Sequence, residues 1–295
     1  MDYVAVLVAA NEPDAPEKIL EQALDAAEIE LASAVTRLGG RAAEAQIKSH
    51  SNGEFNTLKS KLAESNADIA ILPAHNRRKK LLVCDMDSTI IEQECLDELA
   101  DFAGLKEQIS AITERAMAGE LDFEDALEER VSMLEGLSVK AIDDCYKDRI
   151  SLSAGARTLV ATMQASGARC LLVSGGFTAF TERVAAATGF HEHHANTLLN
   201  DGYNLTGKVG MPILGREAKL ATLESTAAKL GLSPSDALAM GDGANDLAMI
   251  NAAGLGIAYR AKPVVATASD AAINHTDLTT ALFYQGYSED EFVTL

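Results

Sequence analysis

Asp85 and Asp87 stand two positions apart at the end of the apolar run Leu81-Leu82-Val83-Cys84, and Ser88 and Thr89 follow at once. Alternate residues of a strand face opposite sides, but where the chain leaves a sheet two such carboxylates can turn into one pocket, with the Met86 carbonyl between them. Crowded carboxylates raise each other's pKa unless a cation neutralises them, and an all-oxygen donor set suits Mg2+ better than a softer metal. The same residue types also build Asp-rich turns and helix N-caps, so the pair alone leaves both readings open. Two further segments bear on the choice. Ser174-Gly175-Gly176 follows the apolar run 169–173, and Gly241-Asp242-Gly243-Ala244-Asn245-Asp246 follows the run 237–240. The Ser174 hydroxyl can bond a phosphoryl oxygen, and Gly175 lets backbone N–H groups approach an anion. Asp242, with Asn245 or Asp246 nearby, can complete an oxygen shell around a hard cation.

The elements that must position these groups are short apolar runs at 81–84, 169–173, 237–240 and 254–258, separated by helical patterns. That alternation predicts an α/β fold with a doubly wound parallel sheet, in which ligands sit beyond the carboxyl ends of the strands. The three motifs therefore converge on one place. Residues 91–150 have helical periodicity and many acidic side chains but no strand-like run. The stretch is too long for a single crossover helix and reads as a helical cap inserted over the sheet. Upstream, residues 1–76 read as a small α/β domain: a strand at 3–9, a helix over 15–38, a helix near 56–65 and a strand at 68–72. It closes at Arg77-Arg78-Lys79-Lys80, expected to be a solvated linker into a second domain at 77–295. The acidic tail 284–295 is expected to be peripheral. His191, His193 and His194 are expected in an exposed loop beyond a helix end, as solvated side chains and not a catalytic metal site.

The 295 residues are 47% hydrophobic and 23% charged, with a formal net charge of −19. A net-negative chain is repelled by nucleic acid and by anionic membrane, so neither is expected as a partner. No charged and apolar leader opens the sequence, and no apolar stretch reaches the roughly 18 to 20 residues a membrane helix needs. Cys84, Cys95, Cys145 and Cys170 lack paired spacing, which suits reduced thiols and a cytoplasmic setting.

Taken in order, the DxDST motif at Asp85, the hydrophobic run ending in Ser174, Lys219, and the GDGxND motif at Asp242 resemble the haloacid dehalogenase superfamily from about residue 79 onward. The stretches DMDSTIIEQECLDELA, GELDFEDALEERVSML, VSGGF and GDGANDLAM are similar to the phosphoserine phosphatases within it. The resemblance implies Mg2+-dependent hydrolysis of phosphoserine to serine, the last step of serine biosynthesis, through an aspartyl-phosphate. Asp85 would be the nucleophile and Asp87 the general acid and base, with Ser174 and Lys219 neutralising the phosphoryl group. The carboxylates around the metal would be Asp85, Asp87 and Asp242. As proton carrier Asp87 must be offset from the ion, which leaves Asp85, the Met86 carbonyl and Asp242 as direct ligands. Asp246 and Asn245 would act from the outer shell or orient Lys219. Glu94 would face the substrate ammonium and Arg130 its carboxylate, a pairing that suits a free amino acid. Ser174, Gly175 and Asn245 would contact the substrate as well, and Met117 and Phe123 would line the lid. Two alternatives stay open. The phosphoryl group could pass to another alcohol such as homoserine, or the N-terminal unit could be an amino-acid-sensing module fused to the catalytic part. Its first strand is followed by Asn11-Glu12-Pro13-Asp14 where a glycine-bearing ligand loop would stand, and homodimer formation is left open.

Overall fold

The computed structural model describes residues 2–11, 15–117 and 122–294, without the side chains of residues 114, 116 and 117. The chain begins with β1 (Tyr3–Ala9), α1 (Pro16–Ala26), β2 (Thr36–Arg37), β3 (Ala42–Ile47), α2 (Asn52–Lys61) and β4 (Ala67–Pro73). The four strands form an antiparallel sheet in the order β2-β3-β1-β4. β1 is central and buried on both faces, which is why Val4 to Ala9 read as a continuous apolar run. The helix expected over 15–38 ends instead at Ala26. Glu28 takes a left-handed backbone (φ 60), and Leu31 and Ala32 turn back to pair with Ile47 and Gln46. Sheet pairing overrides the helix preference of this alanine-rich stretch. β3, Ala42-Ala43-Glu44-Ala45-Gln46-Ile47, was not expected; its residues have weak strand preference and are held by β1 on one side and β2 on the other. The helix near 56–65 lies at Asn52–Lys61, begun by a reciprocal cap between Ser51 and Glu54. Most of the loop 11–14 lies outside the described residues.

The chain then enters β5 (Leu81–Cys84), whose four residues are all buried. Helices α3 (Cys95–Phe102), α4 (Lys106–Met117), α5 (Phe123–Ser132) and α6 (Val139–Arg149) form the cap, and α7 (Ala156–Ala165) returns to the core. β6 (Arg169–Phe177), α8 (Thr178–Thr188), β7 (Glu192–Asn196) and the hairpin of β8 (Leu198–Asn200) and β9 (Leu205–Val209) follow. The chain ends with α9 (Arg216–Lys229), β10 (Ala237–Gly241), α10 (Leu247–Ala252), β11 (Leu255–Tyr259), α11 (Pro263–Ala268), β12 (Ala271–Ile273) and α12 (Thr280–Tyr284). The six-stranded sheet runs β12-β11-β10-β5-β6-β7, every pairing parallel. β5, β6 and β10 are neighbours at its centre, so the three motifs emerge side by side. The cap leaves and rejoins the core at one hinge, where Ile91 bridges Leu152 and Ser153 N donates to Ile90 O at 2.9 Å.

Three further expectations are corrected. The basic run is a clasp and not a solvated linker. Arg77 donates to the carbonyls of Phe283 and Tyr284 and pairs with Glu44 at 2.8 Å, Arg78 pairs with Glu291 over the Tyr287 ring, and Lys79 Nζ donates to Ser235 O. The start of the tail is not peripheral: Tyr284, Gln285 and Tyr287 are buried, because α12 packs between β1 and α7, while Glu289, Asp290 and Glu291 are exposed. The histidines lie on and beside the edge strand β7, where His191 Nδ1 accepts Cys170 N–H at 3.1 Å and His193 meets Thr181. Val4, Val6, Val8, Ala70 and Leu72 belong to the same apolar cluster as Leu82, Leu172 and Met240, so the N-terminal sheet and the six-stranded sheet share one core.

Candidate active site

Asp85 is the first residue beyond β5 and is tied to the sheet by its N–H, which donates to Met240 O at 2.9 Å. Its Oδ1 accepts Met86 N–H at 2.8 Å and receives Lys219 Nζ at 2.8 Å. Lys219 also reaches Asp246 Oδ1 at 2.6 Å, and all three side chains are almost fully buried. Among the described residues both donors to Asp85 fall on Oδ1, which leaves Oδ2 for a ligand. Burial by itself would lower the Lys219 pKa, but Asp85 and Asp246 more than reverse that and hold the ammonium well above its usual range. It is a permanent charge in this knot.

From Asp85 the chain makes one tight turn, Met86–Ile90, with Ser88 in the left-handed region (φ 52). A non-glycine residue there is strained, and the surrounding bonds fix it. The turn is closed by Ile91 N–H on the Met86 carbonyl at 3.0 Å, which uses one of that oxygen's two lone pairs. Ser88 Oγ donates to Glu94 Oε1 at 2.6 Å. Asp87 is carried to the other side of the turn: Oδ1 accepts Cys95 N–H at 2.8 Å and Oδ2 accepts the Ser174 hydroxyl at 2.9 Å. Burial, then Glu94 and Asp85, push its carboxyl up to about 7.

The carboxylates that converge are Asp85, Asp242 and Asp246, each with an oxygen within 4.8 Å of the others. Asp87, expected among the metal-facing carboxylates, is drawn off by Cys95 and Ser174, while Asp246, expected in the outer shell, stands in the cluster and accepts Gly243 N–H at 3.1 Å. Burial and then Asp85 raise Asp242 to about 6 and Asp246 to about 7. Three hard-oxygen carboxylates gathered in a largely buried place, with one lysine to offset them, fit a divalent cation.

Ser174 sits where β6 bulges away from β7. Its Oγ accepts Gly176 N–H at 2.8 Å, and a Cβ at Gly176 would stand 2.8 Å from Asp87 Oδ2 and 3.0 Å from Ser174 Oγ, so a side chain there would push these groups aside. Phe123, at the start of α5 in the cap, comes down over Gly175 and Gly215. A cleft of about 700 Å³ opens there between cap and core, lined by Phe123, Glu124, Ile213, Gly215, Arg216 and Asn245. Glu94 is exposed on its outer side, yet the protein behind it raises its carboxyl, against the Ser88 bond and with help from Asp242, Asp85 and Asp97. Arg130, half-buried in α5, donates to Ala126 O at 3.1 Å and lies in the fields of Asp97 and Glu94. The Met117 side chain lies outside the described residues. Two residues escaped the sequence reading: Ser88, which holds Glu94, and Asn196, whose carboxamide bonds Gly175 O. An asparagine closing a strand is the one signal Asn196 offered, since strands are depleted in it.

A phosphoryl group entering this place would meet a carboxylate oxygen of Asp85, the Ser174 hydroxyl, the glycine loop and the Lys219 ammonium. The sequence profile of haloacid dehalogenase-like hydrolases matches residues 82–251. The chain is 43% identical over 213 residues to a phosphoserine phosphatase of Archaeoglobus fulgidus, covering 72% of this chain and 62% of that protein. It thus spans less than two thirds of that relative. A Schizosaccharomyces pombe protein described as a probable phosphoserine phosphatase is 37% identical, over 99% of this chain and 97% of its own length. Among solved structures, a hydrolase of the same family from Salmonella enterica serovar Typhi superposes with a TM-score of 0.85 at 31% identity, covering 98% of this chain and 99% of the other.

Proposed function

The chain belongs to the haloacid dehalogenase-like hydrolases, and from that premise we propose that it hydrolyses phosphoserine to serine and phosphate, using Mg2+ and Asp85 as nucleophile. One observation carries the reading: two carboxylates two residues apart are held in opposite settings, Asp85 on Lys219 and Asp87 on Ser174. Asp85 Oδ2 attacks phosphorus, the bond from phosphorus to the seryl oxygen breaks, and Asp87 gives that oxygen its proton. Water then attacks the aspartyl-phosphate, Asp87 takes the water's proton, and the Asp85 oxygen leaves phosphorus to free phosphate. A group that swaps acid and base roles works best with a pKa near the working pH, as the buried position of Asp87 gives it. Lys219 and Ser174 neutralise and orient the phosphoryl oxygens. Mg2+, held by Asp85 and Asp242 with Asp246 beside them, would supply charge neutralisation to the same oxygens.

The substrate is inferred from Glu94 and Arg130. They set an acceptor and a planar cation within each other's electrostatic reach, the pair that a free amino acid's ammonium and carboxylate require. The phosphoserine phosphatases among the relatives support the same substrate. The test is phosphate release from phosphoserine, phosphothreonine and simple sugar phosphates, with Mg2+ or with EDTA. Phosphoserine should be preferred and EDTA should abolish turnover. Equal rates on sugar phosphates, or full activity in EDTA, would overturn it. Added homoserine that accepted the phosphoryl group in preference to water would point to transfer in place of hydrolysis.

A further inference from the structure

Asn196 closes β7 directly opposite the bulge that carries Ser174. β6 and β7 pair through Val173 and His194, then resume at Phe177 and Asn196, so Ser174, Gly175 and Gly176 stand against the single residue Ala195. Their backbone has left the ladder, and a side chain takes up the bonds. Asn196 Nδ2 donates to Gly175 O at 2.8 Å and to Leu214 O at 3.2 Å, and Oδ1 accepts Leu214 N–H at 2.6 Å. Asn196 is 2% exposed.

The two segments it joins present two different catalytic groups. The Gly175 carbonyl and the Gly176 N–H belong to one peptide plane; Asn196 holds the carbonyl, and the N–H on the far side donates to Ser174 Oγ, which donates in turn to Asp87. Leu214 leads through Gly215 into α9, whose fourth residue is Lys219. We propose that Asn196 is a positioning residue, fixing the separation between the Ser174 loop and the start of the Lys219 helix so that both groups meet one phosphoryl group. The inference rests on the phosphoryl-transfer reading of the site. Asn196 itself touches no reacting atom. Among the described residues its carboxamide is the one side chain that spans both segments with bonds in both directions, and an apolar residue of similar size could fill the space without setting either peptide plane.

The variants that test it are N196A, which removes all three bonds, and N196D, which keeps the size and an acceptor for Leu214 N–H but turns a carboxylate oxygen toward two carbonyls. Leu198→Ala is the control: it removes buried apolar mass at the root of the same hairpin without bonding to either segment. With phosphoserine and Mg2+, both Asn196 variants should lose about 100-fold in kcat, the scale of a misaligned catalytic group, while KM moves less than about threefold. The control should lower Tm and leave kcat within about twofold. Folded Asn196 variants with kcat near wild type, or a control whose kcat falls as theirs does, would overturn the proposal. If N196A does not fold, N196D alone decides. The same kinetics on p-nitrophenyl phosphate separate the two readings. Wild type active there but not on phosphoserine overturns the substrate, and Asn196 variants matching wild type there overturn the positioning role. Wild type inactive on both overturns both.

Discussion

The Ser174 hydroxyl donates to Asp87 Oδ2 at 2.9 Å, joining residues 87 positions apart at the mouths of adjacent parallel strands. The bond aims Asp87 away from the acidic cluster and sets its function apart from that of Asp85. Asp87→Asn should cut kcat by about 10²- to 10⁴-fold, the usual share of a general acid and base. Asp85→Asn should abolish turnover and acid-stable phosphate labelling of the protein while the circular dichroism spectrum stays native. Labelled, active Asp85→Asn protein would remove the nucleophile from that position.

Lys219 is the counter-charge of a buried acidic knot. Lys219→Met strips it from Asp85 and Asp246 and should destabilise the metal-free protein by about 3 to 5 kcal/mol, the scale of breaking a buried ion pair by removing one partner. Excess Mg2+ should recover part of that loss without restoring activity. Denaturant melts with EDTA and with Mg2+ measure both, and equal midpoints for variant and wild type in EDTA would contradict the electrostatic account.

The pH dependence follows from the direction of the carboxyl shifts. Asp87 and Asp246 are raised to about 7 and Asp242 to about 6, from an ordinary 3.8. Between these limits the folded chain binds more protons than the unfolded one. Their contribution is therefore fully present below pH 3.8 and is lost as pH rises through 6 and 7. A bound divalent cation favours the deprotonated cluster, so the Tm gain from saturating Mg2+ should grow from pH 5 to pH 7.5, reaching on the order of 5 °C. Differential scanning fluorimetry across that range checks it; a gain that is flat or shrinks with pH would be the contrary result.

Asp68, at the edge of the N-terminal sheet, accepts the N–H groups of Asn274, His275 and Thr276 and the Thr276 hydroxyl. It is buried, so Asp68→Ala leaves several donors unpaired at the join between the two sheets and should cost about 2 to 4 kcal/mol. Thermal melts of the full chain should show one cooperative transition moved down by several degrees. An unchanged Tm would mean that the two sheets are held by their shared apolar core alone.

Parallel strands buried on both faces write themselves as apolar runs, so β5, β10 and β11 were legible where they lie, and the motifs following β5 and β10 could be placed at strand ends. β3 and β7 were not, because alanine, glutamate and histidine carry little strand preference and their neighbours hold them in place. The basic run Arg77 to Lys80 misled for a related reason. Charged residues in sequence suggest solvent, and nothing local records that Phe283 and Tyr284 carbonyls and Glu44 wait to receive them.

By itself the sequence determined the residue types of the site and their order: the paired carboxylates at Asp85 and Asp87, the hydroxyl at Ser174, the cation at Lys219 and the acidic loop from Asp242. These are chemical identities, and each is carried by a short contiguous motif. The tertiary structure alone decided the direction in which each side chain points. It sent Asp87 to Ser174 and Cys95, brought Asp246 in beside Asp85 and Asp242, and placed Asn196 across the bulge. Those outcomes depend on hydrogen bonds between residues far apart in the chain, whose partners exist only once β5, β6, β7 and β10 have been laid side by side.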